Sequence, residues 1–166
     1  MNTAKNKPPL HILLVCMSNV CRSPTAEVVL RKILRDAHLG SRVEVASAGT
    51  HGFRVGSASD PHIQQVAAAR GYDLSPLRAR KIGWQDFDYF DLILAMDHSN
   101  LDNLRRMATE AQQGKIKLLM HYARHHTEKE IPDPYTTLGQ RFDQVLDMIE
   151  DACAGLVRVL KAPPEV

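Results

Sequence analysis

LHILLVCMSNVCRSPTA, residues 10–26, is the stretch that decides how this chain folds. Residues 10–15 are almost continuously apolar over the length of a strand, the pattern of a strand covered on both faces of a sheet. The run stops at Cys16, and Arg22 follows after five intervening residues. Ser23-Pro24 then has the form of a helix start, an N-cap serine with proline in the first turn. Between residues 25 and 37, Ala26, Val29, Leu30, Ile33, Leu34 and Ala37 recur at spacings of three and four, which predicts a helix. The unit is strand, short loop, helix.

The same alternation continues outward. Residues 42–47 (RVEVAS) predict a second strand, ended by Ala48-Gly49. Asp60-Pro61 marks the start of a helix carrying Ile63, Val66, Ala67 and Arg70 and stopping at Gly71. A third strand is predicted at 92–96 (LILAM), a helix at about 99–107, and a fourth strand at 116–120. A closing helix over 142–160 carries Phe142, Val145, Ile149, Ala152, Leu156 and Val159 or Leu160 on one stripe. Strands separated by helices predict a single α/β domain: a four-stranded parallel sheet with helices on both faces and right-handed crossovers. Ligands of such sheets bind at the carboxyl ends of the strands, here the loop between the first strand and first helix. The domain is expected over residues 10–161, behind a flexible polar tail at 1–9.

With 166 residues, one core suffices. The net charge is +2, with Lys and Arg scattered among acids, which argues against a nucleic-acid partner. The apolar run at 12–15 is far too short for a signal peptide or a membrane span, so the expected location is the cytoplasm. Three cysteines are too few for a disulfide framework. Any special role for a thiol must come from its position.

The position of Cys16 is special. A short loop ending at a helix N-terminus can turn its backbone N–H groups inward and cradle a phosphate. Arg22 adds a planar fork for two phosphate oxygens. The same positive field favours a thiolate at Cys16; such thiols fall from about 8.5 to about 3.5–7.5 in pKa. A thiolate at the base of a phosphate cradle is a nucleophile for phosphoryl transfer. Cysteine and arginine at this spacing alone are compatible with a packed thiol beside an unrelated arginine. The preceding strand, Asn19 within the loop and the Ser-Pro helix start favour the site.

The stretch VCMSNVCRSPTAE resembles the signature of the low-molecular-weight protein tyrosine phosphatases, in a bacterial-type form. The resemblance continues through SAGT (47–50), VGSASDP (55–61), the segment near Arg80, FDLILAMDHSNL (90–101) and IPDPY (131–135). It implies Cys16 as nucleophile, Arg22 as phosphate ligand and Asp133 as general acid, without metal or cofactor. Met17, Ser18, Asn19, Val20, Cys21 and Ser23 complete the phosphate-binding loop, Asn19 holding its shape and Ser23 bonding the thiolate. Tyr135 and Phe53 would wall the cleft for a planar phenyl ring. Cys21 would form a reversible disulfide with Cys16 under peroxide. The implied partner is a phosphotyrosine protein, with a tyrosine kinase among the candidates, and the enzyme is expected to be a monomer. An acid at Asp133 also makes chemical sense, because a phenolate with pKa near 10 leaves slowly without a proton donor.

Several positions depart from the family pattern. Ser18 stands where glycine is frequent, which costs stability only if that residue sits at positive φ. Phe53 replaces a frequent tryptophan, Leu77 a common histidine, and Thr136 the second tyrosine of animal members. Phosphoarginine hydrolysis is the nearest alternative; Val20 and Tyr135 favour phosphotyrosine. Thiol-linked arsenate reduction needs two further cysteines, and residues 77–100 contain none. A silent phosphate-binding module would usually lose the nucleophile or the acid. His121, His125 and His126 lie close together but lack a second ligand pair for metal.

Overall fold

The computed structural model describes residues 8–135 and 142–162. Strand β1 (Leu10–Cys16) is central in a four-stranded parallel sheet of order β2-β1-β3-β4. Its companions are β2 (Val43–Gly49), β3 (Leu92–Ala95) and β4 (Ile116–Leu118). Leu13 registers with Ala46 on one side and Ile93 on the other. Ile12, Leu13, Leu14 and Val15 are all fully buried. The unbroken apolar run therefore exists because both faces of this strand are covered.

Alternation along β1 feeds two cores. Ile12, Leu14 and Cys16 pack with α1 (Arg22–Asp36), α2 (Pro61–Ala69) and α5 (Phe142–Lys161). Leu13 and Val15 pack on the opposite face with Phe87 of α3 (Asp86–Tyr89), Phe90, and Leu101 and Leu104 of α4 (His98–Met107). The chain leaves β1 toward β2 and leaves β3 toward β4, so the order reverses between β1 and β3. Their carboxyl ends open a crevice at that reversal, where α/β sheets bind ligands.

The expected four strands and both helical layers are present, with shifted boundaries. Helix α1 begins at Arg22 rather than 25, with Cys21 in the N-cap position. Ser23 is thus not the cap; the first turn closes on Cys21, whose carbonyl accepts from Thr25 N–H and from Thr25 Oγ1 at 2.6 Å. Strand β2 runs on to Gly49, because Gly49 donates to the Arg80 carbonyl and pairs with Cys16. The expected strand at 116–120 ends at Leu118. Leu119–Tyr122 curls into a 3₁₀ turn that buries Leu119 and Met120 against α5. His121 lies in that turn and His125 beyond it, so the two share no helix. Helix α3 and a 3₁₀ segment at Glu110–Lys115 have too little apolar periodicity to be foreseen. Asp60 does cap α2, accepting from His62 and Ile63 N–H, and Gly71 at φ +85° follows the helix end. Residues 1–7 of the expected tail and Thr136 lie outside the described residues.

Two contacts seat the loop that leads to Asp133. Asp151 of α5 accepts from the N–H groups of Arg124, His125 and His126 and from His126 Nδ1. Burial opposes its ionisation, yet these donors outweigh burial and hold the carboxyl well below the usual carboxylate range. Gly155, one turn along, lets the chain pass close: a Cβ there would collide with the Tyr122 carbonyl. Gly155→Ala is therefore expected to cost about 1–3 kcal/mol or more, the scale of overpacking a rigid contact. Urea unfolding measures it; an unchanged midpoint would show that the crossing yields.

Candidate active site

Cys16 ends β1 and is 3 % exposed, at the floor of a loop that runs straight into α1. The loop carbonyls face the protein body. Thr50 N–H donates to Cys16 O at 2.9 Å, His51 N–H to Met17 O at 2.9 Å, and Asp60 N–H to Val20 O at 2.8 Å. By contrast, none of the N–H groups of residues 17–21 donates to a described residue. Five unengaged amides at a helix N-terminus form an anion cradle. Gly49 makes the close packing possible, since a Cβ there would lie 2.7 Å from Met17 O.

Asn19 holds the loop in shape at φ +58°, a region asparagine tolerates. Ser18 is not at positive φ, so serine in place of glycine carries no backbone penalty. Asn19 Nδ2 donates to Ser23 Oγ at 2.8 Å and Ser47 Oγ at 3.0 Å, and its Oδ1 accepts from Arg80 N–H at 3.0 Å. Ser47 Oγ in turn donates to buried Glu27 at 2.8 Å. Ser23 Oγ lies 3.0 Å from Cys16 Sγ. Ser23 Oγ accepts from Asn19, so its own hydrogen can point to Cys16 Sγ or to the more distant Ala48 carbonyl at 3.4 Å.

Arg22 is buried, and its guanidinium is braced before any ligand arrives. Nη1 donates to Asp97 Oδ2 at 2.7 Å and to the Ile131 carbonyl at 2.9 Å, and Nη2 lies 4.0 Å from Asp133 Oδ2. Asp97 sits at the tip of β3 and also caps α4 through Asn100 N–H. Neither Asp97 nor Glu27 was singled out from the sequence. The AMDHSN stretch does signal a helix cap, but its approach to Arg22 depends on β1 and β3 being neighbours.

A cleft of about 420 Å³ opens above Cys16. Met17, Ser18, Val20, Cys21, Arg22, Asp133 and Tyr135 line it, joined by Arg54 and Asp60. Asn19 and Ser23 lie beneath it, buried. Phe53 is 74 % exposed and stacks on His51 outside the lining, with ring centroids 5.1 Å apart. Cys21 is a free thiol beside Cys16, and burial, then the neighbouring sulfur, push its pKa up. Asp133 Oδ1 accepts from Tyr135 N–H at 3.0 Å. Among the described residues no group of three or more His, Cys, Asp or Glu side chains is placed to hold a metal, and no helix is long and apolar enough to cross a membrane.

The arrangement offers a sulfur nucleophile, a cradle for an oxyanion and a carboxyl group above both. Residues 11–165 match the profile of the family described as low molecular weight phosphotyrosine protein phosphatase. A low molecular weight protein-tyrosine-phosphatase of Streptomyces coelicolor is 39% identical over 157 residues, covering 93% of this chain and 95% of that protein. The crystal structure of YfkJ from Bacillus subtilis superposes with a TM-score of 0.88 at 31% identity, covering 94% of this chain and 97% of its own. A Drosophila arginine phosphatase superposes with a TM-score of 0.83 at 33% identity, covering 91% and 98%.

Proposed function

Because this chain belongs to the low molecular weight phosphotyrosine protein phosphatase family, we propose that it hydrolyses phosphotyrosine on proteins through a phosphocysteine at Cys16. The enzyme class, protein-tyrosine phosphatase, comes with the family. The residue roles rest on one observation above the others. Cys16 Sγ lies 3.0 Å from Ser23 Oγ at the floor of a cradle whose arginine sits 4.0 Å from Asp133.

The substrate phosphate settles on the free amides of residues 17–21 and on Arg22, with the phenyl ring beside Tyr135. Cys16 Sγ attacks phosphorus opposite the phenolic oxygen. The S–P bond forms as the P–O bond breaks, and the Asp133 proton passes to the departing oxygen. Water then attacks phosphorus and gives a proton to the Asp133 carboxylate. The S–P bond breaks, its electron pair returns to sulfur, and the Ser23 hydroxyl stabilises the thiolate that leaves. The products are tyrosine and inorganic phosphate. We place the enzyme in the cytoplasm as a monomer acting on a tyrosine kinase or its targets. Three unpaired cysteines suit a reducing compartment, and the apolar stripes of α1 and α5 are turned into the core.

Steady-state hydrolysis of three matched peptides bearing phosphotyrosine, phosphoserine and phosphoarginine tests the substrate class. The expected preference for phosphotyrosine over phosphoserine is about 10²-fold or more, since a short ester forfeits the ring contacts of the cleft. Preference for phosphoarginine would keep the chemistry of Cys16 and reassign Val20 and Tyr135. Turnover of none would leave a phosphate-binding module.

A further inference from the structure

One cation at the mouth of the cleft takes no part in the proposed chemistry. Arg54 is exposed and lines the cleft, and its guanidinium has no hydrogen-bond or ion-pair partner among the described residues. Its backbone, by contrast, is well tied. Ser57 N–H donates to Arg54 O at 2.8 Å, Gly56 N–H to Ala79 O at 2.8 Å, and Ala79 N–H to Ser57 O at 2.9 Å. Gly56 supplies the positive φ, +85°, that this turn needs. The surroundings are basic. Residues 50–59 and 74–84 hold no Asp or Glu, and the two segments meet at the Gly49–Lys81 and Ala58–Arg78 bridges. Within them Arg80 is bound to Asp86 by two bonds of 3.1 Å, and Arg78 is bound to the Ser75 and Leu77 carbonyls. Lys81 is exposed, and its stem runs beside the Arg54 turn, where a Cβ on Gly52 would lie 3.4 Å from Lys81 Cδ.

We infer that Arg54 is a specificity-determining residue: its guanidinium takes the carboxylate of an Asp or Glu next to the phosphotyrosine, so the enzyme prefers substrates with acidic flanks. The inference deepens the proposed function and rests on it. A phosphotyrosine whose ring stands in the cleft brings the side chains on either side of it to the rim. There an uncommitted planar guanidinium can hold a carboxylate bidentately, and neither segment around it supplies a competing acid. The carboxylates that line the cleft are engaged elsewhere. Asp60 Oδ1 caps α2, accepting at 2.8 and 3.2 Å, while Asp133 accepts from Tyr135 N–H and lies 4.0 Å from Arg22. Arg22 cannot do this work, because it is buried and braced for the phosphate. Lys81 adds charge of the same sign, and a rim of one sign steers encounter with a partner of the other.

Matched peptides with Glu, Ala or Lys on both sides of the phosphotyrosine test this through kcat/KM. The wild type should favour Glu over Ala by about 3-fold and Glu over Lys by about 10-fold, the scale of exposed charge pairs. The preference should shrink at about 0.5 M salt. Arg54→Ala should lower kcat/KM on the Glu peptide about 3-fold and cut the Glu-to-Lys span to about 3-fold or less, the part left to Lys81. Arg54→Glu should invert the order, and Arg54→Lys should keep it with a smaller span, since an ammonium cannot grip bidentately. The changes should fall on KM rather than kcat, because the contact is made equally before and during the reaction. Phenyl phosphate has no flank, so Arg54→Ala should cost less on it than on the Glu peptide. An equal cost would show Arg54 gripping the phosphate itself, and a span still near tenfold in Arg54→Ala would place the preference elsewhere; either result overturns the inference. Wild-type turnover of the three peptides at equal rates overturns the inference alone. Turnover of none overturns the proposed function and the inference with it.

Discussion

Cys16→Ser is expected to lower turnover of a phosphotyrosine peptide by about 10⁴-fold or more, the scale on which loss of a covalent nucleophile is felt. The change is nearly isosteric at a site only 3 % exposed, and the hydroxyl can keep the contact to Ser23 Oγ. A serine hydroxyl is far harder to ionise than a thiol, and nothing in the loop is placed to take its proton. The cradle itself is untouched: Arg22 stays bonded to Asp97 and Ile131, and the amides of residues 17–21 stay free. Loss of turnover should therefore come with retained phosphate affinity, read by calorimetric titration with inorganic phosphate. An acid-quenched reaction should trap a phosphoenzyme in the wild type and none in the variant. Turnover that survives would remove Cys16 as nucleophile.

Asp133→Asn carries the second-largest expected effect. On phosphotyrosine or phenyl phosphate, loss of the proton donor should cost about 10²–10⁴-fold in kcat. On 2,4-dinitrophenyl phosphate, whose leaving group needs no proton, the loss in the first step should be within about tenfold. Asparagine can keep the contact from Tyr135 N–H, so the loop need not move. Losses of equal size on both esters would show that Asp133 is not the acid.

The two central strands were legible because they are covered on both faces: LHILLV and LILA carry no polar face to confuse the reading. Asp60-Pro61 likewise announced α2 through local chemistry, a carboxylate cap and a proline that needs no N–H. The boundaries that shifted were set by non-local bonds. Strand β2 reaches Gly49 because Arg80, thirty-one residues on, offers a carbonyl, and β4 stops at Leu118 because Leu119 and Met120 turn into the core against α5. The site shows the same division. Cysteine, arginine and the helix start are neighbours in sequence, so their meeting could be read. The meeting of Asp97 with Arg22, and of Tyr135 with the cleft above Cys16, depend on strand order and on where a later loop lands. A run of residues does not encode either by itself. The orientation of Phe53, stacked outward on His51, is likewise a tertiary matter.

The bracing of Arg22 has a consequence for the enzyme at work. A guanidinium already fixed by Asp97 and the Ile131 carbonyl needs no rearrangement to receive two phosphate oxygens. Such a rigid receptor is indifferent to what the phosphate was once attached to. Orthophosphate, the enzyme's own product and an abundant solute in any cell, presents the same oxygens as the ester. The enzyme must therefore work against a standing competitor drawn from its surroundings, and a rising orthophosphate level would throttle it without any dedicated regulator. On the proposed reading, what would tell substrate from product is the part of the cleft beyond the phosphate, where Met17 and Tyr135 line it.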